Sequence, residues 1–515
     1  MSFPTEIEIK LQLPSADPAR LRQVPLLRRI NGSTQKEDQV SVYFDTGRLK
    51  LRNNGLTLRV RHVGNRYIQT IKSDNGSLFE RGEWETEVRN DWPDLKRAGT
   101  SALNALGIRK LSRQLRPVFE TRVRRTTYPL KGKDYDISLT IDRGEIDAGA
   151  STLPLCEAEL ELRQGNRARL FELALAFART TSAELAVKSK SQRGYELLAC
   201  DGISAAKSDE IEIAPGKPAK AAFQLIAFAC LKQIVANKPV ILAGDPEGIH
   251  QMRVGLRRLR AAISLFSDIV TDAKTPDIKA ELKWLTNELG PAREFEVFLT
   301  RVVAPLGKQH ARLAGMRGLS HDLADQREAA IARALTAVSS QRFRELTLNC
   351  AAWLEIGDWR EPNDKRSRDR CEEAIEAFAR AQLKRCWKKI RKQGRQLAKL
   401  DPHARHKLRI RIKKLRYATE FYKAVFSGKK KEKRRATFLS ALKDMQEYFG
   451  ELNDIRVHEK LTAGIVKPNA QAATPSPRAF AAGLLTGHEE ARFEPALAAA
   501  DHAFGVFEKL NPYWN

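Results

Sequence analysis

Over residues 1–200 hydrophobic and polar residues alternate one by one in short runs, the period of a strand with one face in a core. The clearest runs are EIEIKLQL from Glu6, LTLRVRHV from Leu56, EWETEV from Glu83, FETRVRRTTY from Phe119, DISLTID from Asp136 and CEAELEL from Cys156. From about Ala219 the period lengthens to that of an α-helix, and Ala, Leu, Lys, Arg and Glu take over. Between the two lies DGISAAKSDEIEIAPGKPAK, small, polar and broken by Pro and Gly. The pattern therefore predicts a β-rich domain over 1–205, a linker over 206–218 and an all-α domain over 219–515. A second break, Lys467 to Arg478, reads as a surface loop within the helical half.

Two regularities sharpen this picture. In the first half charged side chains of both signs recur on the polar face of strand after strand. If the sheet closes with its apolar face outward, beneath helices such as RARLFELALAFARTT, those charges line an interior tunnel. In the second half HQMRVGLRRLR at His250–Arg260 repeats as HKLRIRIKKLR at His406–Arg416, and LNELGPAREFEVF is echoed by MQEYFGELNDIRV. A repeat of that length predicts two similar helical bundles related by a pseudo-twofold axis.

Charge adds a partner. The chain carries a formal +27, with 35 Lys and Arg against 28 Asp and Glu up to residue 210 and 55 against 35 after it. A surplus so placed calls for a polyanion at the helical half. Aromatic residues are only 7%, with no stacking platform, which argues against nucleic acid. The start MSFPTEIEIK has no leader-like run and no apolar stretch is read as reaching span length, so the expectation is a cytoplasmic protein with no membrane partner. Six cysteines lack CxxC or Cys/His spacing, so they are read as reduced and mostly core.

Glu6, Glu8 and Lys10 alternate and so share one strand face. Paired carboxylates suit a hard cation, and a lysine beside them suits a phosphate oxygen on that cation. Arg59 and Arg61 repeat the spacing, as do Arg122 and Arg124, and Glu157, Glu159 and Glu161 form a second acidic row. Lys72, Glu85, Glu87, Asp142, Lys188 and Lys190 add charges on neighbouring segments. One such pair would be a solvated face; the same pattern on five strands favours a site.

Glu6-Ile-Glu8-Ile-Lys10 resembles the ExExK signature of the CYTH family of triphosphate tunnel metalloenzymes. YFDT at Tyr43–Thr46, LRVR at Leu58–Arg61, Lys72, IDRG at Ile141–Gly144, EAELEL at Glu157–Leu162 and KSKSQRGYELL at Lys188–Leu198 follow in the family's order. The resemblance implies an antiparallel eight-stranded β tunnel with flanking helices that hydrolyses or cyclises triphosphates with Mg²⁺, or Mn²⁺ in its place. It implies Glu6, Glu8, Asp142, Glu157, Glu159 and Glu161 as metal ligands or water positioners. It implies Lys10, Arg59, Arg61, Lys72, Arg122, Arg124, Lys188 and Lys190 as the phosphate clamp, with Glu6, Glu8, Lys10 and Lys188 in catalysis. Which of Arg122, Arg124 and Arg125, and which of Lys188 and Lys190, face the tunnel stays open.

The helical repeats resemble the CHAD domain, often found behind CYTH domains. That likeness implies long-chain polyphosphate binding through His250, Arg253, Arg257, Arg260, His406, Arg409, Lys413 and Arg416, which fall on one stripe of each helix. REFE at Arg293–Glu296 departs from the usual Arg-Asp-x-Asp, and KKKEKRR at Lys429–Arg435 reads as an extension of the basic surface or as a mobile basic loop, the latter preferred. The combined expectation is an inorganic triphosphatase acting on tripolyphosphate, monomeric or homodimeric. A polyphosphate scaffold and an enzyme for an organic triphosphate such as thiamine triphosphate or ATP are the alternatives.

Overall fold

The structure is a computed structural model describing residues 5–14, 24–28, 34–73, 78–199, 202–465 and 476–514. Cys200 and residues 467–475 of the expected second loop lie outside the described residues.

Eight strands form a closed antiparallel barrel: β1 (Thr5–Gln12), β2 (Gln35–Thr46), β3 (Leu56–Val63), β4 (Arg66–Ser73), β5 (Glu80–Val88), β6 (Leu115–Lys131), β7 (Tyr135–Asp147) and β8 (Thr152–Gly165). The spatial order is β5-β4-β3-β2-β6-β7-β8-β1, and pairing of β1 with β5 closes it. A two-residue ninth strand, β9 (Glu184–Leu185), pairs with β1 beside the ring. Alternation dictates what each face holds. Ile9, Leu11, Leu58, Val60, Ile71, Leu139, Ile141 and Leu160 are all buried on the outer face, while the residues between them carry charge. Helix α1 (Arg167–Thr181) lies against β1 and β8 and buries Leu170, Phe171, Ala174 and Phe177. Helix α2 (Lys190–Leu198) follows, begun by a Ser189–Gln192 capping box.

The rest of the chain is helical. Helix α3 (Ala219–Ala236) leads to α4 (Pro246–Leu265), α5 (Thr275–Glu288), α6 (Gly290–Phe298), α7 (Ala314–Ser339), α8 (Gln341–Ile356), α9 (Ile375–Gly394), α10 (Pro402–Phe421), α11 (Lys429–Ile465) and α12 (Pro477–Glu508). The repeat survives in detail: α4 and α10 are each 20 residues long, each with an aspartate N-cap (Asp245, Asp401) and a proline in the first turn.

Three expectations are corrected. The chain divides into two compact units, but not by one cut. Residues 1–206, 235–243 and 339–356 make the first, and 207–234, 244–338 and 357–515 the second. Ala219–Leu242 is long and apolar enough to cross a membrane, contrary to the sequence reading, yet 61% of the qualifying window is buried, as in a core helix. KKKEKRR is not a loop: it forms the first turns of α11, where Arg435 donates to the carbonyls of Lys423 and Phe426.

Candidate functional site: a charged tunnel and a basic helix pair

Directly opposed residues of neighbouring strands share a face, so the barrel register fixes which side chains look inward. Lys10 stands opposite Glu159 and Glu8 opposite Glu161. Arg59 faces Thr70, Lys72 faces Glu83, and Arg125 faces Asp142, which in turn faces Glu157. These walls enclose a cavity of about 330 Å³. Its lining includes Glu6, Glu8, Glu83, Glu85, Glu159 and Glu161 against Lys10, Arg59, Arg61, Lys72, Arg81, Arg125, Arg163 and Lys190.

The charges sort into two groups. At one, Lys190 lies 2.8 Å from Asp142 and 3.0 Å from Glu159, and also meets Glu157. Arg125 bridges Asp142 at 2.6 Å and Glu159 at 3.2 Å, and Arg193 reaches Glu157. Burial alone would raise the Glu159 carboxyl, but Lys190, Lys10 and Arg125 outweigh it and hold it well below its ordinary range. Burial would lower Lys190, yet Asp142, Glu157 and Glu159 hold it above its ordinary value. Oxygens of Asp142, Glu157 and Glu159 converge within 4.8 Å, a metal-sized spacing, with Lys190, Arg125 and Arg193 drawn against them.

The other group is the part of the lining that carries Glu6, Glu8 and Glu161. Lys72 lies 2.6 Å from Glu6 and 3.1 Å from Glu83, and Lys10 contacts Glu8. Among the described residues no ion pair to Glu161 is present. Burial, then Glu6 and Glu8, push its carboxyl up, and burial likewise raises Glu6 against the pull of Lys72. Like charges directly opposed across a ladder, as Glu8 and Glu161 are, cost stability unless a cation sits between them. An all-oxygen set of this kind fits a hard divalent cation. Arg59 and Arg61 look across the same cavity, 3.9 Å from Glu83 and 3.6 Å from Glu85.

Each expected residue now has a place. Glu6, Glu8, Lys10, Arg59, Arg61, Lys72, Glu159, Glu161 and Lys190 line the cavity. Asp142 and Glu157 are fully buried behind it and hold Lys190 and the two arginines rather than open coordination positions. Arg122 and Arg124 are corrected: they lie on the outer face, 55% and 74% exposed, paired with Glu120 and Asp38. Lys188 is also turned away, 2.8 Å from Glu196. Glu87 is exposed at the far end of β5. Sequence reasoning missed Glu83, Arg81 and Arg193. Glu83 carried a signal, because it begins the same alternation as Glu85.

Asp45 of YFDT is structural. It is fully buried and accepts hydrogen bonds from the backbone N–H groups of Thr46, Leu51 and Arg52 and from the Tyr195 hydroxyl at 3.0 Å. This ties α2 to the rim of β2.

In the second unit α4 packs against α10 and brings the two basic stripes together. Burial, then Arg409 and Arg257, press the Lys413 ammonium down to about 6. Burial and Arg257 lower Arg253 to about 10. The Nε atoms of Arg253, Arg257, Arg409 and Arg416 are buried with no hydrogen-bond partner among the described residues. Such clustering, only partly offset by Glu294, Glu420 and Asp454, is costly unless an anion fills it. His250 sits beside the cluster, lowered by burial and Arg293, and His406 Nδ1 lies 2.9 Å from the Asn453 side chain. Arg260 and Arg416 sit at the edge, near Thr286 and bridged to Glu420 at 3.3 Å. The acids of REFE are both paired, Glu294 with Arg253 at 3.9 Å and Glu296 with Arg327 at 3.4 Å.

Comparison with known proteins matches residues 4–195 to the CYTH domain family and residues 225–463 to the CHAD domain family. An inorganic triphosphatase of Haemophilus influenzae is 26% identical over 162 residues, 30% of this chain and 45% of that protein. The chain thus spans less than half the length of this curated relative. The crystal structure of the CHAD domain from the plant Ricinus communis superposes with a TM-score of 0.50 at 27% identity, covering 59% of this chain and 97% of that one.

Proposed function

We propose that this chain, which joins a CYTH domain to a CHAD domain, is a metal-dependent triphosphatase that hydrolyses inorganic tripolyphosphate to pyrophosphate and phosphate, with Mg²⁺ as its ion, and that its helical unit binds long-chain polyphosphate. The observation that carries the reading is the gathering, in one cavity, of Glu6, Glu8 and Glu161 with Arg59, Arg61 and Lys72. A pure polyanion binder gains nothing from carboxylates facing its ligand. The inorganic triphosphatase of Haemophilus influenzae supports the same substrate class.

Glu6, Glu8 and Glu161 would hold the divalent ion, which when bound supplies charge neutralisation and polarises a phosphoryl oxygen. The chain's own part is positioning. Arg59, Arg61 and Lys72 orient and neutralise the phosphate oxygens, with Lys10 beside the leaving or transferred group, as suits a loose phosphoryl transition state. Glu159, kept ionised by its three cations, stands within 3.8 Å of Lys10 and fixes that ammonium. The low-dielectric walls strengthen each interaction. The reading is tested by phosphate release from tripolyphosphate, ATP and thiamine triphosphate, each with and without Mg²⁺. Release from tripolyphosphate that needs Mg²⁺ is expected, and none under any condition would leave the scaffold alternative.

A further inference from the structure

The strand that carries Glu6, Glu8 and Lys10 closes the barrel through a short ladder among the described residues. Its closing ladder to β5 has three register pairs, Thr5 with Gly82, Glu6 with Arg81 and Ile7 with Glu80, where its other neighbour β8 contributes five. Glu6, a candidate metal ligand, therefore sits on the seam. Two side chains from far along the sequence hold residues that flank its ends. At the seam Arg167 meets Glu80 and, at 2.6 Å, Glu355, whose side chain is only 7% exposed. At the other end Gln12 pairs with Glu184, whose carboxylate holds Lys238, and the Ala186 N–H donates to the Lys10 carbonyl at 2.9 Å. Lys238 is itself buried, with Phe343 beneath its ammonium at 5.5 Å.

We infer that Glu355 and Lys238 are positioning residues for the metal-binding strand, bracing β1 at its two ends through Arg167–Glu80 and through Glu184. Both belong to the first compact unit although they lie in the helical part of the sequence. Neither lines the cavity. Their effect passes through the register of β1, which sets the spacing of Glu6 and Glu8 from Glu161 on β8. Burial would lower Arg167, but Glu80 and Glu355 hold it above its ordinary value, consistent with one guanidinium shared by two carboxylates. The inference rests on the reading of Glu6, Glu8 and Glu161 as a divalent-metal site.

The test uses full-length chains carrying Glu355→Ala, Lys238→Ala or both, beside Glu355→Gln and Lys238→Arg, which keep a hydrogen bond or the charge. Binding of Mn²⁺ alone, without substrate, is followed by electron paramagnetic resonance of the free ion. The Mg²⁺ half-saturation of phosphate release from tripolyphosphate and the melting temperature are measured alongside. The alanine variants should bind Mn²⁺ about tenfold or more weakly, as outer supports of metal ligands typically do, and need correspondingly more Mg²⁺. The Gln and Arg variants should keep wild-type affinity. Alanine variants that melt lower but bind Mn²⁺ as the wild type does would overturn the inference, and so would variants unchanged in every measurement. If the wild type bound Mn²⁺ yet released no phosphate, the proposed reaction would fall while the affinity comparison still decided the bracing.

Discussion

Glu8 and Glu161 oppose each other across β1 and β8, and their mutual repulsion is what a divalent ion would relieve. Replacing Glu8 by Gln keeps shape and removes one of the two charges. Mg²⁺-dependent phosphate release should therefore be lost; turnover near the wild-type rate at matched Mg²⁺ would remove Glu8 from the site. The arginines of β6 give a paired prediction. Arg125 faces the cavity and Arg124 faces solvent beside Asp38. Arg124→Ala should leave kcat/KM for tripolyphosphate within about twofold, because an exposed pair contributes about 0–1 kcal/mol. Arg125→Lys, which keeps a charge beside buried Asp142 but loses the two-pronged contact, should lower kcat/KM about tenfold, equivalent to about 1.4 kcal/mol. The reverse ranking would mean that β6 has the other register in solution.

At the scale of elements, the alternation in EIEIK, LRVR and EAELEL was enough to place Glu6, Glu8, Arg59, Arg61 and Glu159 on one inner face, because strand period depends on nothing beyond the strand. RVRR was not enough. A one-residue slip exchanges the faces of a strand, and the bulge between Tyr43 and Phe44, where β2 meets β6, is invisible in composition. Lys188 and Lys190 share a parity, so alternation could not part them. Ser189 caps α2, placing Lys190 in its first turn toward Asp142 while Lys188 stays outside. The bracing by Glu355 and Lys238 had no sequence signal at all, since neither belongs to a periodic polar face near β1. The repeat in α4 and α10 was legible, but not that the two stripes would meet, and that meeting sets a pH response. His250 is held below its ordinary value by burial and Arg293, whereas Lys413, brought down to about 6 by burial, Arg409 and Arg257, is largely neutral near pH 7. Between about 6 and its unfolded value of 10.5 the unfolded chain carries a proton that the fold does not, so Lys413 destabilises the fold at low pH and the penalty is relieved as pH rises through that window. A bound polyanion returns the proton. Polyphosphate binding to the full chain at pH 7.5 should take up protons, seen by calorimetry in buffers of different ionisation enthalpy, and should strengthen as pH falls toward 6. Lys413→Met should abolish most of the uptake, and equal uptake in that variant would place the titration elsewhere.

At the scale of the molecule, the sequence pattern predicts one boundary at the linker over residues 206–218. The packing divides differently. Helix α8, residues 341–356, falls within the first unit, lies against α1, and is buried along most of its length through Phe343, Leu346, Leu348, Cys350, Trp353 and Leu354. Helix α1 in turn covers β1 and β8, the strands that carry Glu6, Glu8, Glu159 and Glu161. Full burial of one large apolar side chain is worth about 1.5–3 kcal/mol, so losing even a few of those contacts removes an amount comparable to the roughly 5–15 kcal/mol that holds a domain folded. A fragment ending at residue 206 keeps every tunnel residue but loses α8 and residues 235–243 together. It should melt well below the full chain or aggregate, and bind a dye that reports exposed apolar surface. The decisive comparison is thermal unfolding of that fragment and of the full chain with Mg²⁺ in excess, so that metal site occupancy does not differ. A monomeric fragment that melts with the full chain and binds no dye would show that α1 needs no cover from α8, and that the first unit ends where the alternating pattern does.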